Sequence, residues 1–227
     1  MRTGTGVGMP QRGAVGAEER IRAAAVRLWS ERGFHGVGIR ELAEEAGLSS
    51  ASLYHYMGTK EDLLADVMSR GLRRLVLAAE RVTQQRAGAG PRMNALVQLH
   101  VLTHALRPRE TRVVDGELRA LSGDRRGGVM SLRDEYESYW RTTIDEGRAS
   151  GAFRVEAPGM ARLALLEMCT GVARWYDPGG PMALSEVALG HAQLASRVLG
   201  AEELELVDEV DWCRGLVGEI WSGPGGG

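Results

Sequence analysis

The chain has almost no lysine: of its 28 basic residues, Lys60 alone is a lysine and the rest are arginine. That bias suggests a GC-rich coding genome. Cysteine is nearly absent as well. Cys169 and Cys213 stand far apart in apolar surroundings. That excludes a disulfide framework and a cysteine-built metal centre, and it points to buried free thiols. Neither has the basic neighbour that a catalytic thiol needs. No apolar run approaches the ~20 residues of a membrane span. The opening MRTGTGVGMPQRG has no hydrophobic signal-peptide core. A cytoplasmic protein with no membrane partner is expected. Strand-like alternation is missing throughout, so the fold class expected is all-α. Also missing are a Ser/His/Asp set, paired catalytic carboxylates and a phosphate-binding glycine loop. RGAVGAEE has glycines, but no strand precedes it. These absences argue against an enzyme and against a bound cofactor or metal.

The net charge of −2 is no signature of nucleic-acid binding, but it is unevenly placed. Residues 1–75 hold 11 basic against 9 acidic residues, and the remainder 17 against 21. The N-terminal third is thus mildly positive, which permits contact with a polyanion without proving it.

What organises the chain is VGIRELAEEAGLSSASLYHYMGTKEDL, residues 37–63. Ile39, Leu42, Ala43 and Ala46 fall at i, i+3, i+4 and i+7, one apolar helical stripe. Gly47 follows where a helix must stop, and Ser49 or Ser50 can cap the next. Helix, tight turn and helix make a helix-turn-helix. Leu53 should point inward with Leu48 and Met57, leaving Ser50, Ala51, Ser52, Tyr54 and His55 outward or lateral. A preceding helix over 17–33 supplies Ile21, Ala24, Ala25 and Leu28. Thr59-Lys60-Glu61-Asp62 is a capping box that starts a long helix reaching about Gln85.

Beyond the AGAGP linker (87–91), helices are expected at 91–106, 111–121, 129–149, 159–176, 184–199 and 203–221. DRRGG (124–128) reads as a loop or an irregular helix start. The 159–176 segment is apolar on more than one side, as a helix buried against both its own domain and a partner would be. The domains expected are a flexible tail at 1–16, a helix-turn-helix DNA-binding domain at 17–64, a ligand-binding and dimerisation domain at 65–221, and a flexible tail at 222–227. Arg2 and Arg12 in the first tail could follow a DNA backbone.

The run AAVRLWSERGFHGVGIRELAEEAGLSSASLYHYMGTKEDLL resembles the DNA-binding domain of the TetR family of bacterial transcriptional regulators. It combines an A-x-x-L-x-x-E-x-G-F-type first helix, I-x-x-[IVL]-A-x-x-A-G and L-Y-x-[HY]-[FM]-x-x-K-x-x-L. Two positions depart from the pattern: Gly38 replaces a Thr or Ser cap, and Met57 replaces a Phe. The resemblance implies a three-helix head and an all-α ligand domain that dimerises through its last long helices, here about 160–176 and 184–199. It implies a double-stranded DNA operator, a small-molecule effector and a homodimer. GELRAL, LRDEYESYW, EGRASGAF and TGVARWYDPGGP are similar to acyl-CoA-responsive members that govern steroid-ring and fatty-acid catabolism. An acyl-CoA thioester is the effector class this implies. The function expected is a repressor that leaves a palindromic operator when the effector binds. An activator or ligand-independent regulator of the same fold is the alternative, and a CoA-thioester enzyme a remote one.

Carried onto this sequence, the motif sets Arg40, Ser50, Ala51, Ser52 and Tyr54 toward the bases. His55, Tyr56 and Lys60 resemble the family's phosphate clamp. In the second domain Leu96, His100, His104, Arg133, Tyr136, Trp140, Met168, Val172 and Trp175 are the expected ligand-binding residues. His100 and His104 also have metal-ligand spacing, but no further ligand stands at a telling distance. Arg119, Arg133 and Arg174 are the cations available to effector phosphates, with an ion pair between Arg133 and Glu137 the competing reading.

Overall fold

The computed structural model describes residues 12–201 and 206–222, and among them there are eleven α-helices, one 3-10 turn and no strand. The first helix, α1 (Arg12–Arg32), starts at Arg12 rather than 17, so the end of the expected tail is helical. Arg2 lies outside the described residues. Gly33, at φ 73, ends the helix in a conformation that favours glycine.

The helix α2 (Ile39–Glu45) starts at Gly38 with no side-chain cap. Glu41 makes up for part of it: its Oε2 accepts the Gly38 N–H at 2.8 Å while its carboxylate also receives Arg32. These two donors hold the Glu41 carboxyl below its ordinary range, the Gly38 N–H foremost. At the other end, the Gly47 N–H donates to Glu44 O and the Leu48 N–H to Ala43 O. That doubled closure with Gly47 at φ 66 is a Schellman cap. Arg20 adds a third lock, its Nε donating to Ala46 O at 3.2 Å. The turn is therefore fixed by three donors, and α3 (Ser50–Met57) leaves it at a set angle. Of the two candidate caps, Ser49 is the one used: its Oγ accepts the Ser52 N–H.

The long helix α4 (Lys60–Gln85) opens on the expected capping box, Asp62 N–H to Thr59 Oγ1 at 3.1 Å and Thr59 N–H to Asp62 Oδ2 at 2.9 Å. Thr59→Ala should lower unfolding free energy by about 1 kcal/mol. A urea midpoint equal to wild type would show that the cap holds nothing.

The central helix is α5 (Ala89–Leu106), buried along nearly its whole length, with α4, α7, α8, α10 and α11 packed against it. It starts two residues early because Gly88, at φ 82, turns the chain before Pro91 enters the first turn. The RPRE break shrinks to Arg107. Pro108 then occupies the first position of α6 (Pro108–Gly116), followed by a 3-10 turn at Leu118–Ala120 in place of the helix expected at 111–121. The α7 helix (Gly123–Ala149) takes in DRRGG, so of its two readings the helix start holds and the loop does not. The expected single helix at 159–176 breaks at Gly171 into α8 (Pro158–Thr170) and the single turn α9 (Val172–Trp175). α10 (Leu184–Leu199) lies where expected, and α11 (Val210–Ser222) begins at Val210 rather than 203. Residues 223–227 of the second expected tail lie outside the described residues. One continuous set of buried side chains runs from Ile21 to Trp221, so head and body share packing along α4.

Candidate nucleic-acid interface and ligand cavity

The turn and α3 sort their side chains by burial. Leu53 is fully buried in the core that also holds Ile21, Trp29 and Leu42, and Leu48 and Met57 pack half-buried against that core. That orientation turns Ala51, Tyr54 and His55 outward at i, i+3 and i+4. Tyr54 is 52% exposed, a large amount for a phenol ring on a folded helix. Arg40, the second residue of α2, is exposed on the neighbouring element. Ser50 is half-buried, and the Ser52 hydroxyl lies 2.9 Å from Ser49 Oγ, so Ser52 belongs to the cap as much as to the outer face. His55 and Tyr56 meet edge to face at 5.5 Å.

Lys60 is engaged within the head. Its ammonium donates to Phe34 O at 2.5 Å and sits 4.1 Å from the centroid of the same residue's ring. Burial pulls its pKa down, against the upward pull of Glu117 and Glu41. Glu117 also accepts the Phe34 N–H at 3.1 Å. A second bridge lies one turn on. Glu61 accepts both the N–H and the hydroxyl of Ser122, and Asp62 pairs with Arg125 at 2.5 Å. Arg125 and the Thr59 donors hold the Asp62 carboxyl far below its ordinary range. The first turn of α4 is thus bonded to Ser122 and Arg125 of the body, and Phe34, which Lys60 holds, is bonded to Glu117.

The body holds a cavity of about 390 Å³ walled by α4, α5, α6, α7, α8 and α9. Its apolar side is Leu72, Leu75, Leu163, Leu166 and Ala173, and its polar side includes His100, Tyr136, Thr170 and three arginines, Arg112, Arg133 and Arg174. His100 is buried with both ring nitrogens engaged, Nδ1 with Tyr136 OH at 2.8 Å and Nε2 with Thr170 Oγ1 at 3.1 Å. Burial, then His104 and His191, drive its pKa well down, so it faces the cavity neutral. His104 stacks beneath it at 4.0 Å and bonds His100 O and Asp115 Oδ2. All four ring nitrogens of the pair therefore have protein partners.

Of the expected ligand-binding residues, His100, Arg133 and Tyr136 line the cavity. Leu96, Trp140 and Val172 are buried core, His104 is one layer deeper, and Met168 is half-buried against the core. Trp175 is 47% exposed and stacks on His191. Arg119 is exposed on the 3-10 turn and lines nothing. Arg133 does not pair with Glu137, which takes Arg162 at 2.5 Å. Arg112 and Asp115 were missed, although their i, i+3 spacing on a short helix places them on one face.

A helix-turn-helix with an exposed second helix, joined by one long helix to an all-helical body with a polar cavity, defines a ligand-responsive DNA-binding regulator. The chain belongs to the TetR family. The family model for bacterial regulatory proteins of the tetR family matches residues 21–67, and the tetracyclin repressor-like C-terminal domain matches 87–199. It is similar to the HTH-type transcriptional repressor KstR2 of Rhodococcus jostii, 25% identical over 178 residues that cover 78% of this chain and 87% of that one. Among solved structures, a tetR-family regulatory protein from Rhodococcus RHA1 superposes with a TM-score of 0.77 at 26% identity, covering 82% of this chain and 98% of the other. AibR in complex with isovaleryl coenzyme A and operator DNA shares the fold at TM-score 0.74 and 22% identity, over 82% of this chain and 99% of that one. The chemistry of such regulators is binding, not catalysis. No described helix is long and apolar enough to cross a membrane.

Proposed function

We propose that the protein is a homodimeric repressor that leaves a palindromic operator when an acyl-CoA thioester enters the body cavity. The observation that carries the effector class is the state of the three cavity arginines. Arg112 is spent on a neutral acceptor, Ala173 O, at 2.9 and 2.6 Å. Arg133 donates to Val114 O, lies 4.0 Å from Asp115, and its buried Nε has no partner. Arg174 is exposed, with no carboxylate at ion-pair distance among the described residues. Of the three acids on the wall, Glu137 is held by another cation, Arg162, and Asp115 is hydrogen-bonded to the His104 ring. The remaining acid, Glu167, is exposed. The cavity thus presents more positive charge than it neutralises, beside an apolar wall. A thioester with an apolar acyl group and phosphate oxygens complements both. The volume suits a short acyl group and leaves the nucleotide end outside. KstR2 and AibR support this reading by what they are, a repressor and a protein solved with an acyl-CoA and operator DNA.

The dimer rests on a separate feature. Met160, at 68% exposed, and Leu163 on α8 share the surface with Leu194 and Val198 on α10, which packs beside α8. Contiguous exposed apolar side chains on paired helices mark an association face. Two copies set two α3 helices on half-sites about one DNA turn, ~10 bp, or a multiple apart. Leu163 also lines the cavity, so the effector touches a residue of the association face.

Titration of the protein on its own upstream DNA with isovaleryl-CoA, a longer acyl-CoA and free CoA tests the effector. Release by an acyl-CoA is expected, and Arg133→Ala should need about ten-fold more of it while holding the DNA as tightly. No release and no calorimetric binding would remove the acyl-CoA and leave the DNA-binding regulator. A fall in transcription of the adjacent genes in a deletion strain would overturn repression.

A further inference from the structure

A second cavity, also about 390 Å³, lies between head and body and shares no residue with the first. Its walls come from α1, α4, the α5–α6 junction and α11, over an apolar floor of Ala23, Val26 and Val67. Six guanidiniums line it, Arg22, Arg27, Arg70, Arg74, Arg107 and Arg109, against two carboxylates, Glu19 and Glu110.

Both carboxylates receive two donors each. Glu19 Oε1 receives Arg22 at 2.9 Å and Arg70 at 3.0 Å. Glu110 receives Arg74 at 2.8 Å and the Trp221 indole N–H at 3.0 Å. Arg22 is further held by Glu18 and Asp66. The other three arginines are not matched in this way. Arg107, half-buried between α5 and α6, has no ion pair among the described residues. Arg109 reaches only Glu31, at 3.8 Å. Arg27 pairs with Glu45 through its tip, while its buried Nε has no partner.

We infer that this junction cleft binds a small phosphate-bearing anion, a pyrophosphate group free or carried by a nucleotide, between Arg27 of the head and Arg107 and Arg109 of the body. Guanidiniums arriving from separate elements suit several anionic oxygens held together, which a diphosphate supplies and a single carboxylate does not. A DNA duplex is excluded by size, since the cleft holds only about 390 Å³. An anion here bonds α1 to α6 and so fixes the angle between head and body. This input is independent of the effector assigned to the other cavity.

Calorimetry on the full chain with inorganic pyrophosphate, ADP and sulfate tests the site. Saturable binding of pyrophosphate is expected, with sulfate weaker by about ten-fold. ADP equal to pyrophosphate would mean that the diphosphate alone is read, and ADP tighter that a nucleotide is the source. The R107A/R109A double variant should lose about ten-fold in affinity while keeping its urea midpoint and its grip on operator DNA. Arg27→Gln should weaken binding too, and Arg40→Ala, on the DNA face, should not. No saturable binding at millimolar pyrophosphate, binding unchanged in both R107A/R109A and Arg27→Gln, or binding lost in Arg40→Ala would overturn the assignment.

Discussion

Trp140→Ala should lower unfolding free energy by about 3–5 kcal/mol. Trp140 is fully buried on α7, edge-on to His100 at 5.7 Å, where α7 packs on α5. No neighbouring helix can close a void the size of an indole, because α5 is already buried on nearly every side. The lost contacts fall on His100, whose bond to Tyr136 OH orients the polar wall of the cavity. The substitution should therefore loosen the cavity as well as weaken the core. Urea unfolding followed by circular dichroism measures the cost. A loss below about 1 kcal/mol would return Trp140 to the role first read from sequence, a ligand wall rather than a core residue.

Arg40→Ala should weaken operator binding about ten- to hundred-fold and leave stability unchanged. Arg40 is exposed at the start of α2, the ring of Tyr54 is exposed on α3, and the three-donor lock on the turn fixes the angle between those helices. Tyr54→Ala should follow in direction. Lys60→Ala should act differently: a lost phosphate contact lowers the salt dependence by about one unit of slope and weakens all sequences alike. Because Lys60 also holds Phe34, that variant should show a lower urea midpoint too. Fluorescence anisotropy across a salt series separates the two kinds of contact. Arg40→Ala protein that binds operator like wild type would remove Arg40 from the base-reading set.

Legibility in the sequence tracked the range of the interactions involved. The cap at Thr59, the stop at Gly47 and the inward Leu53 depend on residues within one or two turns, so their spacing announced them. Spacing leaves the start of α7 open, because two arginines and two glycines fit a loop as well as an irregular helix start. What holds it is 61 and 63 residues away in sequence, Glu61 on Ser122 and Asp62 on Arg125. The head surface was readable for the same reason that the cavity was not. An outward residue on α3 follows from helical periodicity alone. Six helices wall the cavity, and a stripe on any one of them cannot say whether it meets a void or another side chain. Leu96, Trp140 and Val172 met side chains; His100 and Tyr136 met the void.

The scarcity of lysine has a chemical consequence. An ammonium with its pKa lowered by burial carries more of the free amine, the form that attacks acylating reagents. With one such side chain in the sequence, acylation of a side-chain amine has a single address, and it lies on the head where α4 begins. One acyl group there would erase the charge assigned to the phosphate clamp, the cation above the Phe34 ring and the donor to Phe34 O together. The side-chain amine chemistry of this sequence is thus concentrated where α4 begins and the head holds itself together.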